Sequence, residues 1–275
     1  MSRIFPHLQV SPAPQVLSDL QKYFQHTGAD PFVVEALSDA LSNRNHPAST
    51  AVIEDRYIDI DYSASFYLQH GRSFTPAERN TTRIHFFSSD FNRRHLHSPT
   101  DRTIRLLRDD DSYLGFTVIR PSSIPTLGRT FIRPPEQIRH QQAFFPTKAD
   151  IQSSLYGIQL CTEASPYLSQ DGLVMACATA SVWMSSRALS SKIFGISEYT
   201  TAEITALAMS LDRPYTPSIG NRGLRIDEIE RALMAMGYDP KVWELPALNY
   251  ETLYWSEYPQ AQYLKKWYNI KRHRT

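Results

Sequence analysis

The stretch SQDGLVMACATASVWMSS, residues 169–186, sets Gln170 and Asp171 seven and six residues ahead of Cys177, and small and apolar residues with one tryptophan follow. The spacing predicts a helix with Val174, Cys177, Ser181 and Met184 along one stripe and alanines filling between. Two readings of Cys177 are open. At the head of a helix, a thiol meets partial positive charge and free N–H groups, which lower its pKa and make it a nucleophile. Free cysteine is also among the most buried residue types, so Ala-Cys-Ala-Thr-Ala-Ser reads equally as a small-residue packing face. In the first reading, Gln170 is the candidate oxyanion donor beside the Cys177 backbone N–H, and Trp183 braces the helix.

Two further helices are predicted downstream. YTTAEITALAMSLD, residues 199–212, carries a capping box of Thr200 and Glu203 ahead of Ile204, Leu207, Ala208 and Leu211. GLRIDEIERALMAMGYDP, residues 223–240, directs Ile226, Ile229, Leu233 and Met236 inward and stops at Gly237. KVWELP, 241–246, reads as a strand. Upstream, residues 13–28 put Val16, Leu17, Leu20 and Phe24 on one helical face with Gly28 as a stop. Residues 30–45 start a second helix with Asp30 as N-cap and Pro31 at its first position. From residue 51 the pattern becomes β-branched and aromatic. AVIEDRYIDIDYSASFYL (51–68), TTRIHFFSS (81–89), SYLGFTVIRP (112–121) and RTFIRPP (129–135) read as strands, the last two halted by proline. The expected fold class is α+β: a mixed N-terminal region over about 1–150 and a helical lobe over 151–275.

Composition narrows the function classes. Apolar residues make up 41% and charged residues 21% of 275, enough for a substantial core, and the formal net charge is +1. That balance argues against a general nucleic-acid binder; the basic, aromatic YLKKWYNIKRHRT at 263–275 reads as a solvated tail. The two cysteines, Cys161 and Cys177, fit a reducing compartment. With no secretory h-region and no run near the ~20 apolar residues of a membrane span, a cytoplasmic protein is expected. No cofactor or metal is expected, and the oligomeric state is not legible.

Residues Gln170-Asp171 and Cys177-Ala178-Thr179-Ala180-Ser181-Val182-Trp183-Met184 resemble the papain-like cysteine peptidases, in the branch of the bacteriocin-processing peptidase domains of bacterial exporters. The two following helices resemble that family's next two, and the likeness covers roughly residues 165–245. The upstream blocks YIDIDYSASFYLQHG, RIHFF and YLGFTVIRP look like those of uncharacterised bacterial proteins that carry such a peptidase-like half. The resemblance implies a papain-like helical lobe, Cys177 as nucleophile and a downstream histidine on a small barrel. The chain departs from that pattern in three places. Ala178 stands where glycine is usual, the six-residue offset falls on Asp171 rather than Gln170, and only His273 follows Cys177. The histidine-bearing barrel is therefore missing from the sequence pattern.

A thiol hydrolase needs a base within hydrogen-bond reach. The upstream candidates are His85, His95, His97 and His140, of which His85 is preferred for its place on an alternating strand. Other groupings are weaker. His95 and His97 share one side of a predicted strand but lack a third metal ligand, and LRDDDSY at 107–113 lacks the alternate spacing of a Ca²⁺ loop. Asp59 and Asp61 alternate on a predicted strand face beside Tyr57, either as polar surface or as a packing contact to Arg83. SIGNRGLRID, 218–227, is a proline-framed loop, not a phosphate cradle. The leading expectation is a cysteine peptidase-like protein hydrolysing a peptide or isopeptide bond, truncated and inactive forms included. The alternative is a non-catalytic module of papain-like descent that binds a protein partner.

Overall fold

The computed structural model describes residues 8–27, 31–70, 77–97, 99–108, 112–121, 127–135, 137–138, 141–142, 145, 147–169, 177–193, 195–209 and 224–242, with no side-chain description at 27, 31, 32, 68–70, 97, 137, 138, 141, 142 and 177. Met1–Tyr238 form one compact unit and Asp239–Thr275 a second.

The frame is a seven-stranded antiparallel sheet. Its strands are β1 (Leu8–Pro12), β2 (Thr50–Tyr57), β3 (Thr81–Phe87), β4 (Tyr113–Ile119), β5 (Leu127–Ile132), β8 (Ala149–Leu155) and β9 (Ile158–Leu168), in the order β1-β2-β3-β4-β5-β9-β8. Two-residue strands β6 (Gln137–Ile138) and β7 (Gln141–Gln142) pair separately. The helices are α1 (Ala13–Thr27), α2 (Pro31–Ser42), α3 (Ile60–His70), α4 (Arg93–His97), α5 (Asp101–Arg108), α6 (Cys177–Ser190), α7 (Thr201–Met209) and α8 (Ile226–Ala235). The class is mixed α+β.

Alternation along the strands decides which helices cover which face. Ala51, Ile84, Phe86 and Leu114 pack against Val16, Leu17, Phe24 and Leu37 of α1 and α2. On the opposite face, register sets His85 beside Phe116 and Arg83 beside Val118. There Phe116, Val118 and Phe131 meet α6, α7 and α8 through Trp183, Val182, Ile204 and Ala232. Trp183 is fully buried, its ring 5.7 Å from that of Phe131; burying a side chain of this size contributes upward of about 2 kcal/mol. The β8–β9 hairpin curls over this face, so that Leu155, Ile158 and Leu160 join Val52, Phe87 and Tyr113 in one cluster. Its two-residue turn, Tyr156 and Gly157, has φ of 52° and 76°, the left-handed pair that matches strand twist. Gly115 (φ 117°) lies so close to β5 that a Cβ there would stand 1.9 Å from the Phe131 carbonyl oxygen.

Helices α1 and α2, strands β3, β4 and β5, and the three helices α6–α8 lie where the sequence pattern puts them. The capping box forms as expected: Thr200 N–H donates to Glu203 Oε2 at 2.7 Å and Glu203 N–H to Thr200 Oγ1 at 3.3 Å. Gly237 ends α8 at φ 92°.

Other expectations are overturned. Residues 60–70 are helix, not strand: Asp59 caps them, accepting the Tyr62 N–H at 2.9 Å, so the capping oxygen satisfies a first-turn donor that a strand would leave to a neighbour. His95 and His97 lie on the short helix α4 rather than on a strand, so the two-residue alternation that would bring them to one side does not apply. Ile226 does not face inward; it is 64% exposed at the first position of α8, and Ile229, Ala232, Leu233 and Met236 make the core contacts instead. Lys241 and Val242 are not in a strand, and 243–246 lie outside the described residues. Residues 149–168, unassigned from sequence, supply two strands, so the sheet runs across position 150.

Candidate functional site

A tract of buried polar side chains lies between the curled sheet and the helical layer. At one end stands His85, with no exposed surface. Its Nε2 is 3.1 Å from Glu54 Oε2 and its Nδ1 2.8 Å from the Tyr113 hydroxyl. An ionised carboxylate only accepts, which assigns the Nε2–H to donate to Glu54 and leaves Nδ1 to accept the Tyr113 O–H. Burial lowers the His85 pKa, with Glu54 opposing, and the ring stays neutral. Burial pushes the Glu54 carboxyl up, but hydrogen bonds from His85 and Arg83 outweigh it and the net pKa lies below the ordinary value.

Arg83 ties this end to the hairpin. Its Nε–H donates to Glu54 Oε2 at 2.5 Å and an Nη2–H to the Ser154 carbonyl at 2.9 Å, and its guanidinium lies 4.0 Å from the Tyr57 ring centroid. Tyr57 passes the tract onward, its hydroxyl accepting from Arg129 at 2.8 Å, while Arg129 Nε–H donates to Asp59 at 2.5 Å. Tyr57 is thus the residue that meets Arg83, and Asp59 pairs with Arg129 instead. Asp61, 3% exposed, accepts the Trp183 Nε1–H at 2.9 Å and lies 3.6 Å from Arg187. Arg187 is also paired with Glu198. Burial raises the Asp61 pKa against the opposing pull of Arg187, and lowers that of Arg187 against the pull of Asp61.

The sequence candidates fall differently. Cys177 is the first described residue of α6, and its side chain is outside the described residues. The buried residues of α6 are Thr179, Ala180, Val182, Trp183, Ser186, Arg187 and Ala188. Ser181 and Ser185, one and two turns after position 177, are exposed, so of the stripe expected to hold Cys177, Ser181 and Met184, Ser181 turns away from the core while Met184 packs partly buried against it. Gln170 and Asp171 are outside the described residues. The residue before them, Ser169, is fixed: its N–H donates to the Leu127 carbonyl at 3.1 Å and its carbonyl accepts from buried Arg120 at 2.7 Å. His95 is exposed on α4 and its Nδ1 accepts the Asn92 N–H at 3.1 Å; the His97 side chain and His140 are outside the described residues. Cys161 is exposed on β9, in a groove of about 580 Å³ with Lys148, Asp150, Gln152 and Glu163.

Sequence reasoning missed the Asp61–Trp183–Arg187 cluster. The only signals were two acids too close to an apolar run for a simple surface strand, and an arginine and a tryptophan four residues apart in an otherwise small-residue helix.

No helix among the described residues is long and apolar enough to cross a membrane. No family model, curated protein or solved structure matches the chain.

Proposed function

We propose that the chain is the cysteine-bearing part of a papain-like thiol hydrolase acting on a peptide or isopeptide bond, with Cys177 as its nucleophile. One observation supports this reading: Cys177 lies on α6, and the helix face one turn on, at Ser181, is exposed while the opposite stripe is buried. In this reading Cys177 belongs to the first turn of its helix, where unpaired N–H groups would stabilise a thiolate. It attacks the substrate carbonyl to form a thioester and release the amine, and water then hydrolyses the thioester. The oxyanion donors in this reading are the Cys177 N–H and the Gln170 side-chain amide.

The base is a histidine other than His85. With Nε2 bound to Glu54 and Nδ1 to Tyr113 inside a sealed core, His85 has no lone pair left for a thiol proton. That same occupancy favours the second reading, a non-catalytic module that keeps the helical lobe and binds a protein partner. A peptidyl acyloxymethyl ketone probe separates the two. Labelling of the native chain lost in Cys177→Ala and kept in Cys161→Ala supports the hydrolase. Equal slow labelling of both cysteines, or none until the chain is denatured, refutes it in favour of the module.

A further inference from the structure

Helix α3 turns polar residues to the core and apolar ones to solvent. Asp61 accepts from Trp183 Nε1–H of α6 at 2.9 Å, and the Ser65 and Thr201 hydroxyls, the latter at the start of α7, are 3.1 Å apart. On the other side Ile60 is 58% and Tyr67 57% exposed, and Ile58, just ahead of the helix, is 56% exposed. Ile60, Ala64 and Tyr67 stand at i, i+4 and i+7, one stripe about 10 Å long. Half-buried Phe66 continues the apolar surface, its ring centroid 6.0 Å from that of Tyr62 and 6.1 Å from that of Tyr67.

A cation is fastened onto this stripe. The Tyr62 hydroxyl donates to the Glu78 carbonyl at 2.9 Å, which ties the segment after α3 to the helix, and the Arg79 guanidinium lies 5.0 Å from the Tyr67 ring centroid. Arg79 Nε has no hydrogen-bond partner, and no carboxylate among the described residues pairs with the guanidinium. The neighbouring Glu78 is taken: its Oε1 accepts the Asn80 N–H at 2.8 Å and an Asn80 Nδ2–H at 2.7 Å. Arg56, exposed two residues before Ile58, adds a second positive charge. A guanidinium stacked on a ring, with its donors unused, is set to receive a carboxylate.

We propose that the stripe Ile60–Ala64–Tyr67, with Ile58 and Arg79 at its edge, docks an amphipathic helix of a partner protein that carries an acidic residue beside its apolar face. The i, i+4, i+7 spacing is the pattern by which helices pack on helices, and the unpaired arginine selects the acid. The surface does not suit a second copy of the chain. Its stripe and flanking rings offer roughly 300–400 Å², the size of an interaction patch but about half of the ~800 Å² per partner of a stable dimer. A second copy would also bring another unpaired arginine and a Glu78 already occupied. The docking surface is independent of the role of Cys177 and stands or falls without it.

The test uses the native full chain and a fluorescein-labelled stapled helix of about two heptads, with leucines at i, i+4 and i+7 and glutamates beside them, read by fluorescence anisotropy. Its lysine-flanked twin, a single-stranded oligonucleotide and anionic phospholipid vesicles are the comparison probes. Saturable binding of the glutamate helix is expected, weakened about tenfold or more in Arg79→Gln and in Ile60→Ser. Arg105→Glu, which alters an exposed arginine of α5, leaves it unchanged, and Ile60→Ser keeps the native Tm because the site is on the surface. No saturable binding, equal binding of the lysine twin, native affinity in Arg79→Gln or Ile60→Ser, or an equal loss in Arg105→Glu overturns the proposal. So does tighter binding of the oligonucleotide or the vesicles through the same residues, or a dimer of the native chain that Tyr67→Ser dissociates.

Discussion

Glu54→Ala removes the acceptor shared by Arg83 and His85, and its cost can be worked from the contacts. Two donors lose a carboxylate at 2.5 and 3.1 Å, and hydrogen bonds to charged groups contribute roughly 1.5–3 kcal/mol each. Two effects reduce the sum. The Glu54 side chain is 21% exposed, so water takes part of its place, and Arg83 keeps the Ser154 carbonyl and the Tyr57 ring. The expected loss is about 2–3 kcal/mol, or about 5–10 °C in Tm for a unit of this size. The assay is urea unfolding followed by tryptophan fluorescence at several pH values. In the native chain the Glu54 contribution is fully present above its unfolded pKa of 4.5 and is lost as pH falls through its depressed folded value. His85, neutral in the core, loses stability in the same direction: the unfolded chain takes up a proton as pH falls below 6.5 while the folded one does not. Stability therefore declines from pH 7 to pH 4. In Glu54→Ala the fall near pH 4 is lost, and the fall below 6.5 persists, because His85 has lost the partner that favoured its protonation. A loss under about 0.5 kcal/mol, or stability that rises on acidification, refutes the assignment of the network.

Three other outcomes follow from the same geometry. His85→Phe keeps a ring but removes the imidazole acceptor of the Tyr113 hydroxyl, which keeps Ser153, and one donor to Glu54; it costs about 1–3 kcal/mol by urea unfolding and leaves probe labelling of Cys177 intact, whereas lost labelling in a folded variant would restore His85 as the base. Gly115→Ala drives a methyl into the Phe131 carbonyl at φ 117°, and circular dichroism should show a chain destabilised by more than about 4 kcal/mol or unfolded; a near-native Tm contradicts the β4–β5 packing. Thr200→Ala deletes the α7 cap and costs about 1 kcal/mol in the same unfolding assay, while no change would mean that α7 starts elsewhere.

Elements with strong local signals were legible in the sequence. Helices α1, α7 and α8 announce themselves by periodicity and caps, and β3, β4 and β5 by β-branched and aromatic runs, the last two of which stop at proline. Helix α3 hid because Tyr57, Ile58, Ile60 and Tyr62 alternate with acids as a strand would; its real determinant is the single Asp59 cap. The β8–β9 hairpin was legible in principle, since Ala149, Ile151, Ser153 and Leu155 alternate up to a Tyr156-Gly157 turn. The site was less so. The residue spacing placed Cys177 on a helix, and α6 contains it, yet a strand pattern cannot reveal that both nitrogens of His85 would be taken. That depends on Glu54 and Tyr113, brought in by neighbouring strands through register alone.

The account turns on whether Cys177 is an activated thiol. The pH dependence of its alkylation in the native wild-type chain, compared with the same residue in urea, tests this most directly. A native midpoint at least one unit below the denatured value of about 8.5 is predicted for a thiol at a helix N-terminus. A native curve that overlays the denatured one, or a Cys177 that reacts only after unfolding, contradicts it.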